Sequence, residues 1–210
     1  TRYGTVTGVQ TCALPIFTIK RIAEIFGITV FCAGFLLLLS LVTYSPEDPN
    51  FIFPENTKIK NILGFQGSFV SDVFFQSIGL VSYFFSFTLI VTGINIIRSK
   101  EFFLIIENIF FAIIYFIFGT LFFAHFYSEA FTLYINGNGG FIGAYLNQTF
   151  LNSIILINEV IFYYFLIILN FFLFLISLNF HPIKFYKLIK SLNKFFTRRS
   201  EEHTSELQSQ

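Results

Sequence analysis

Four long apolar windows constrain this chain more than any other feature of its sequence. They cover residues 22–44, 73–97, 102–126 and about 154–180, and each contains the roughly 20 mostly apolar residues that a membrane-spanning helix needs. Inside a bilayer the backbone has to satisfy its own hydrogen bonds, so windows of this length form helices. The sequence therefore predicts an all-α, polytopic membrane protein with four transmembrane helices.

The overall composition excludes several other classes of protein. Of the 210 residues, 55% are hydrophobic and 12% are charged, and that charged share is about half of what a soluble domain carries. Such a chain cannot cover itself with polar surface, which excludes a soluble enzyme domain and a disordered tail. A net charge of +1 provides no basic field for nucleic acid. From the composition we therefore expect the lipid bilayer, and not nucleic acid, to be the partner of this chain.

The distribution of Lys and Arg predicts the orientation of the chain. Residues 45–72 and 127–153 are poor in these cations, whereas the other connections and the tail after the fourth window contain them. By the positive-inside rule, both termini are cytoplasmic and the two poor segments are outer loops. The cations that fix this orientation are Lys20, Arg21, Arg98, Lys100, Lys184, Lys187, Lys190, Lys194 and Arg198.

Both ends of the chain differ from the rest in composition. All 34 Phe residues lie between Phe17 and Phe196, and the flanks 1–16 and 199–210 resemble translated sequencing adapters. We interpret these flanks as non-native, the alternative being native polar tails, and exclude them from fold reasoning. The sequence contains no Met, so we expect a fragment of a longer protein. Residues 17–180 are then the four-span membrane domain, and the basic segment 181–198 is either an interfacial helix or a solvated linker.

Motifs that would carry chemistry do not emerge from the sequence. The glycines between Gly137 and Gly143 lack the spacing of a dinucleotide fingerprint, and no Gly-Lys-Ser/Thr of a P-loop occurs. His125 and Glu129 are four residues apart, but two ligands are too few for a metal site, and an interfacial pair is the simpler interpretation. We therefore predict no catalytic residue, no cofactor and no metal, and no enzymatic activity for this fragment.

Charged residues near the ends of the windows are candidates for a functional role because burial in lipid is costly. Arg21, Glu24, Arg98, Lys100 and Glu107 all lie near the predicted cytoplasmic boundary. We expect Glu24 and Glu107 to face the bundle interior, with at least one within salt-bridge reach of a cation.

Polar residues within the windows suggest an alternative function, that of a transporter or channel. Glu159 begins the fourth window and should lie on the opposite side from Glu24 and Glu107, while Asn170 could hydrogen-bond between helices. If Glu107 and Glu159 converged with Asn170 on one path, the chain would be a small transporter or channel subunit. An accessory membrane subunit of no assigned role is a third reading.

The two predicted outer loops carry the most specific pattern in the chain. We expect both to be structured, with short interfacial helices at residues 61–72 and 141–151, the second started by its glycines. Their residues, in order between the windows, are Ser45, Pro46, Asp48, Pro49, Asn61, Gly64, Gly67, Asp72, Gly139, Gly140 and Gly143. This ordered set resembles the N-terminal four-helix membrane domain of FtsK/SpoIIIE-type DNA translocases, over residues 17–198. Asn50, where that family usually has Ser, departs from its pattern.

The resemblance implies a function that composition alone does not. It implies a membrane-anchoring and septum-targeting domain of a cell-division DNA translocase in the bacterial inner membrane, acting in chromosome segregation. Further copies of the chain and division-site membrane proteins would be its partners. DNA would be bound only by an ATP-driven motor that follows the membrane domain in the family and is missing from this sequence.

Overall fold

The structure is a computed structural model that describes residues 10–49, 59–128 and 136–179, and side chains from residue 17 onward. The chain divides into two units, Thr1–Leu178 and Asn179–Gln210, and every contact reported below lies within the first. The predicted basic segment 181–198 and the flank 199–210 lie outside the described residues. In the described ranges all regular elements are helical: α1 Gln10–Val42, α2 Gly64–Ile78, a 3₁₀ turn Gly79–Val81, α3 Ser82–Ser99, α4 Leu104–Phe126, α5 Gly140–Asn147, α6 Phe150–Ile155 and α7 Glu159–Ser177.

Among the described residues, four helical segments are long and apolar enough to cross a membrane, which confirms the predicted number of spans. The third matches its predicted window closely, as α4, whereas α1 begins at Gln10, well before the predicted start at residue 22 and inside the flank 1–16, and ends at Val42. The fourth is shorter than predicted, because residues 154 and 155 belong to α6 and α7 begins only at Glu159. Asn158 ends the connection by accepting a 3.2 Å hydrogen bond from the backbone N–H of Ile161, which caps α7.

The second span differs most from the prediction. The helical segment Gly64–Ser99 has 36 residues, and a straight helix of that length would be about 54 Å long, far more than the roughly 30 Å of hydrocarbon. Gly79, with φ of +59°, breaks it into α2 and α3. The predicted window 73–97 lies within this segment, but it is not one continuous helix as predicted, because its hydropathy continues unbroken through the turn.

Small residues allow α1 and α3 to pack closely. Gly27 and Gly34 of α1 face α3, and Gly93 of α3 faces α1, where a Cβ atom would lie 2.5 Å from the backbone nitrogen of Phe31. Helices in lipid gain contact in this way because no hydrophobic effect drives them together. The two helices are thereby joined along much of their length.

Buried hydroxyl and amide groups join α3 to α4 and α7. Thr88 contacts the hydroxyls of Tyr115 on α4 and Ser177 on α7, at 3.0 and 3.2 Å. Asn108 of α4 donates to the Thr92 hydroxyl at 2.7 Å. Asn170 does not make the interhelical bond that the sequence suggested, because its amide donates within α7 to the Leu166 carbonyl, at 2.8 Å. These polar contacts fix how the helices face one another.

The bundle has two distinct ends. We call the end that carries residues 43–49, 59–81 and 136–158 the loop face, and the end that carries Lys20, Arg21, Arg98 and Lys100 the basic face. At the loop face, the last turn of α1 meets the first turn of α3, where the Tyr83 hydroxyl donates to the Leu41 carbonyl at 3.2 Å. The residues that resemble the family motifs all lie at this face.

Candidate functional site at the loop face

A buried carboxylate holds the first loop together. After α1, residues 45–48 form a turn in which the N–H of Asp48 donates to the Ser45 carbonyl at 3.1 Å. The Asp48 side chain is 1% exposed and accepts hydrogen bonds from the backbone N–H groups of Lys60 and Asn61, both at 2.8 Å. One carboxylate thus joins the beginning and the end of the loop, and Pro49 is buried beside it.

Asn61 continues this connection into the bundle. Its amide donates to the Ser40 carbonyl at 2.9 Å, and the Ser40 hydroxyl donates to the Gly67 carbonyl at 2.6 Å. A Cβ atom at Gly67 would overlap the Asn61 side-chain oxygen. The start of α2 is therefore fixed against the last turn of α1, and a side chain at position 67 would separate them.

Asp72 and Tyr44 form a second contact between the first loop and α2. The Tyr44 hydroxyl donates to the Asp72 carboxylate at 3.1 Å. Burial raises the pKa of Tyr44 well above its usual value, and the neighbouring Asp72 charge raises the same pKa further. Tyr44 is thus held as a neutral hydrogen-bond donor.

The far end of α2 is held by the second loop. The N–H of Leu80 donates to the Asn138 carbonyl at 2.9 Å, and a Cβ atom at Gly79 would overlap that same carbonyl. Asn138 is fully buried, and its amide donates to the carbonyl of Tyr127. The second loop therefore reaches α2 through backbone groups that only a glycine at position 79 leaves accessible.

Two further glycines place α5 against α4. Cβ atoms at Gly139 and Gly143 would each lie 2.5 Å from the Thr120 carbonyl. α5 begins at Gly140, directly after Gly139, as predicted. Helices at both predicted loop segments are confirmed, but the first runs Gly64–Ile78 and the second segment, 141–151, is divided between α5 and α6. Their interfacial position stays a prediction.

The loop face therefore consists of two junctions connected by α2, one at the end of α1 and one beside α4. Among the predicted motif residues, Ser45 and Pro46 form the turn, Gly64 begins α2, and the others lie in the junctions. Sequence reasoning missed three residues that complete them: Ser40, Ser71 and Asn138. Their signal was present, because each is a polar residue within an apolar or glycine-rich stretch and becomes buried.

One ion pair marks the solvent side of the first loop. Lys60 and Glu47 lie 2.5 Å apart, with side chains 61% and 72% exposed. The pair lowers the pKa of Glu47 and raises that of Lys60. Exposed pairs contribute little to stability, so this pair is of interest mainly as a marker of where the loop meets water.

At the basic face, the prediction for Glu24 is confirmed. Its carboxylate accepts from Arg21 at 2.6 Å and also pairs with Lys100. Lys100 is placed for this contact because it ends α3 in the left-handed conformation, with φ of +64°. Arg98 is exposed and makes no ion pair within the described residues.

The prediction for Glu107 was wrong. Its side chain is exposed on α4, whereas the adjacent Asn108 is buried and faces α3. Neighbouring residues of an α-helix point about 100° apart. Because Asn108 points into the bundle, the preceding residue Glu107 points away from it. Glu159 begins α7 at the loop face, which confirms that it lies across the bundle from Glu24 and Glu107.

The described residues offer a scaffold more than a reaction centre. They contain no group of three or more His, Cys, Asp and Glu side chains that could hold a metal ion. One cavity of about 230 Å³ lies between the start of α3, α4 and α7, and its lining is aromatic and aliphatic apart from Asn170. Polar groups converge both at the loop face and between α3, α4 and α7, and in both places they bind one another.

Comparison with known proteins agrees with this geometry. A family model for the 4TM region of DNA translocase FtsK/SpoIIIE matches residues 19–189. The DNA translocase FtsK of Caulobacter vibrioides is 33% identical over 79 residues, which are 38% of this chain and 10% of that protein. The chain thus spans a small part of this relative's length, and no solved structure matches it significantly. Because the family model covers most of the chain, the protein belongs to the family of four-transmembrane regions of FtsK/SpoIIIE DNA translocases.

Proposed function

We propose that this membrane domain targets a DNA translocase to the division septum and tethers its ATP-driven motor to the bacterial inner membrane. The observation that carries the proposal is the loop face, where the residues shared with the family pattern pack into two junctions around Asp48 and Asn138. A rigid surface of this kind is suited to recognising other division proteins and further copies of the chain. In this proposal both termini are cytoplasmic, and the loop face lies on the other side of the membrane.

The placement of the charged residues supports an anchor over a transporter. A transporter would bring Glu107 and Glu159 to a shared path near the middle of the membrane. Glu107 lies in the first turn of α4 at the basic face, and Glu159 lies in the first turn of α7 at the loop face. Helix α4 continues from Glu107 to Phe126 at the loop face, a rise of about 30 Å at 1.5 Å per residue. Glu107 and Glu159 therefore cannot line one site together.

Localisation in dividing bacteria tests the proposal. The chain fused to a fluorescent protein should concentrate at midcell in constricting cells. The Gly79→Ala variant, which disturbs the loop face, should lose this concentration while remaining in the membrane, and Glu107→Gln should keep it as a matched control. An even distribution of the unaltered chain around the cell membrane, at normal expression, would refute septum targeting.

Two further measurements test the remaining parts of the proposal. Alkaline phosphatase fused after position 49 or 136 should be active, and the same reporter after position 100 inactive, if the loop face is outside. Reading the codons after this sequence in the source genome should reveal a linker and a P-loop domain. A stop codon there would contradict the motor tether but leave the orientation result unaffected.

A further inference from the structure

Helix α2 turns three polar side chains inward beside Phe75 and Ile78, and it exposes a set of large apolar side chains. Ser68, Ser71 and Asp72 are 1%, 0% and 8% exposed, whereas Phe65 and Val73 are 46% and 45% exposed. The exposed apolar residues lie along one side of the helix and just before its start, with Gln66 as an exposed polar residue among them. We call these apolar residues the α2 stripe: Ile62, Phe65, Phe69, Val70 and Val73.

An amphipathic helix on a water-soluble protein turns its apolar side to the core and its polar side to water, whereas α2 has apolar residues on both sides and turns three polar ones inward. The inward polar groups are satisfied, since the Ser68 hydroxyl donates to the Pro49 carbonyl at 3.2 Å and that of Ser71 to the Gly67 carbonyl at 2.9 Å. Asp72 accepts from Tyr44. The interior is thus complete, and it is the outer side that requires an apolar environment.

The depth of α2 identifies that environment. Helix α3 has 18 residues, or about 27 Å, slightly less than the roughly 30 Å of bilayer hydrocarbon. Its far end is fixed at the basic face by Arg98 and Lys100, so the hydrocarbon extends at least to its first turn. The start of α2 is bonded to the last turn of α1 through Ser40, and its end adjoins the start of α3. Both ends of α2 therefore lie where the spans end.

We propose that α2 lies in the interface of the leaflet on the loop-face side, with the α2 stripe inserted between lipid molecules. Aromatic rings are favoured at this boundary, and an interfacial helix buries its apolar side about 5–10 Å deep. The exposed pair of Lys60 and Glu47, just before α2, marks the aqueous side of the same boundary. This proposal requires only that the chain crosses a membrane, and it is independent of the septal role.

The absence of Trp from the sequence makes a direct test available. Single Trp residues are introduced as Phe69→Trp or Val73→Trp in the stripe, Glu47→Trp as a control facing water, and Ile168→Trp on the exposed side of α7 as a control at mid-span. Each full-length variant is placed in phosphatidylcholine vesicles. Fluorescence is then measured with lipids brominated near the headgroup or near the chain end, and with aqueous iodide.

The proposal predicts a distinct pattern for the stripe. Phe69→Trp and Val73→Trp should lose more fluorescence to bromine near the headgroup than to bromine at the chain end, and little to iodide. Ile168→Trp should show the reverse preference for bromine depth, and Glu47→Trp should lose fluorescence mainly to iodide. Quenching of both stripe variants by iodide alone would overturn the proposal. A second result would also overturn it: no quencher reduces the fluorescence of the stripe variants at high protein density, but quenching appears when the protein is diluted in lipid. A second copy of the chain would then cover the stripe.

Discussion

The two ends of this bundle hold their polar groups in different ways. At the loop face, Asp48 and Asn138 are buried, and each binds backbone groups that lie in a different part of the chain. At the basic face, Glu24 pairs with Arg21 and Lys100 through side chains that are 22–59% exposed. One end uses enclosed hydrogen bonds to the backbone, and the other uses ion pairs that remain partly in contact with water.

This difference indicates which end defines the structure. A buried polar group that loses its partner incurs a full desolvation penalty, whereas an exposed ion pair contributes about 0–1 kcal/mol. The basic face can therefore vary with little effect on folding, while the loop face depends on particular residues. Four substitutions, taken in order of decreasing expected effect, test this contrast.

Gly79→Ala should have the largest effect. The new methyl group would overlap the Asn138 carbonyl, and overpacking of about 1–3 kcal/mol adds to a left-handed backbone penalty of about 1–2 kcal/mol. The free energy of unfolding should fall by the sum of these two penalties. It is measured by titration with SDS in micelles, followed by circular dichroism. Gly64→Ala is the matched control, because it shares the positive φ but would meet no atom within 4 Å. Equal losses for both variants would show that crowding at the junction is unimportant.

Asp48→Ala should reduce the free energy of unfolding by about 3 kcal/mol, because two backbone N–H groups lose a charged acceptor and one of them is buried. Glu47→Ala removes the adjacent exposed carboxylate and should change stability very little. The same SDS titration measures both. If the two variants proved equally stable, burial would not be what makes Asp48 important.

Tyr44→Phe should cost about 1–2 kcal/mol by removing the hydrogen bond to Asp72. The pKa of Tyr44 is raised on folding, so its hydroxyl contributes fully below the unfolded pKa of about 10 and progressively less above it. The stability difference between wild type and Tyr44→Phe should therefore be constant from neutral pH to about 10 and narrow at higher pH. A difference that widened above pH 10 would contradict the assigned direction of the shift.

Glu24→Gln at the basic face should have the smallest effect, below about 1 kcal/mol, and that effect should shrink further in high salt. Glu107→Gln, which changes an exposed carboxylate outside the pair, provides the baseline. The measurement is the unfolding free energy at low and high ionic strength. A loss for Glu24→Gln as large as that for Asp48→Ala would remove the distinction between the two ends.

Much of the fold could be predicted from the sequence because lipid leaves few alternatives. The bounds of α4 and the end of α1 follow from hydropathy, whereas α1 begins at Gln10, before its apolar window. The break at Gly79 did not follow from hydropathy, because apolar residues continue on both sides of it and a single glycine does not reveal a positive φ. The length of the segment from Gly64 to Ser99 was the available signal, since it exceeds what one crossing needs.

The candidate site was predictable in its members but not in its geometry. The order of the loop residues indicated that Asp48, Asn61 and Gly139 are part of one family pattern. Nothing in the sequence specified that α2 connects the two junctions in which they lie. Periodicity can show that α2 has two unlike sides, but it cannot show which side is inward, because that depends on what surrounds the helix. The prediction for Glu107 was wrong for a related reason. Which side of α4 faces the interior depends on the helices packed against it.

The close contact between α1 and α3 has a consequence for the order in which the chain folds. Gly27 of α1 contacts Gly93 of α3, and α2 lies between these helices in the sequence. The contact can therefore form only after α2 and α3 have been synthesised, and until then α1 lacks α3 as a packing partner. Closing that contact encloses a long loop, which slows assembly. When it closes, the first turn of α3 arrives beside Leu41, and α2 is brought over the end of α1. Pairing of the two helices and completion of the first junction are then a single cooperative step.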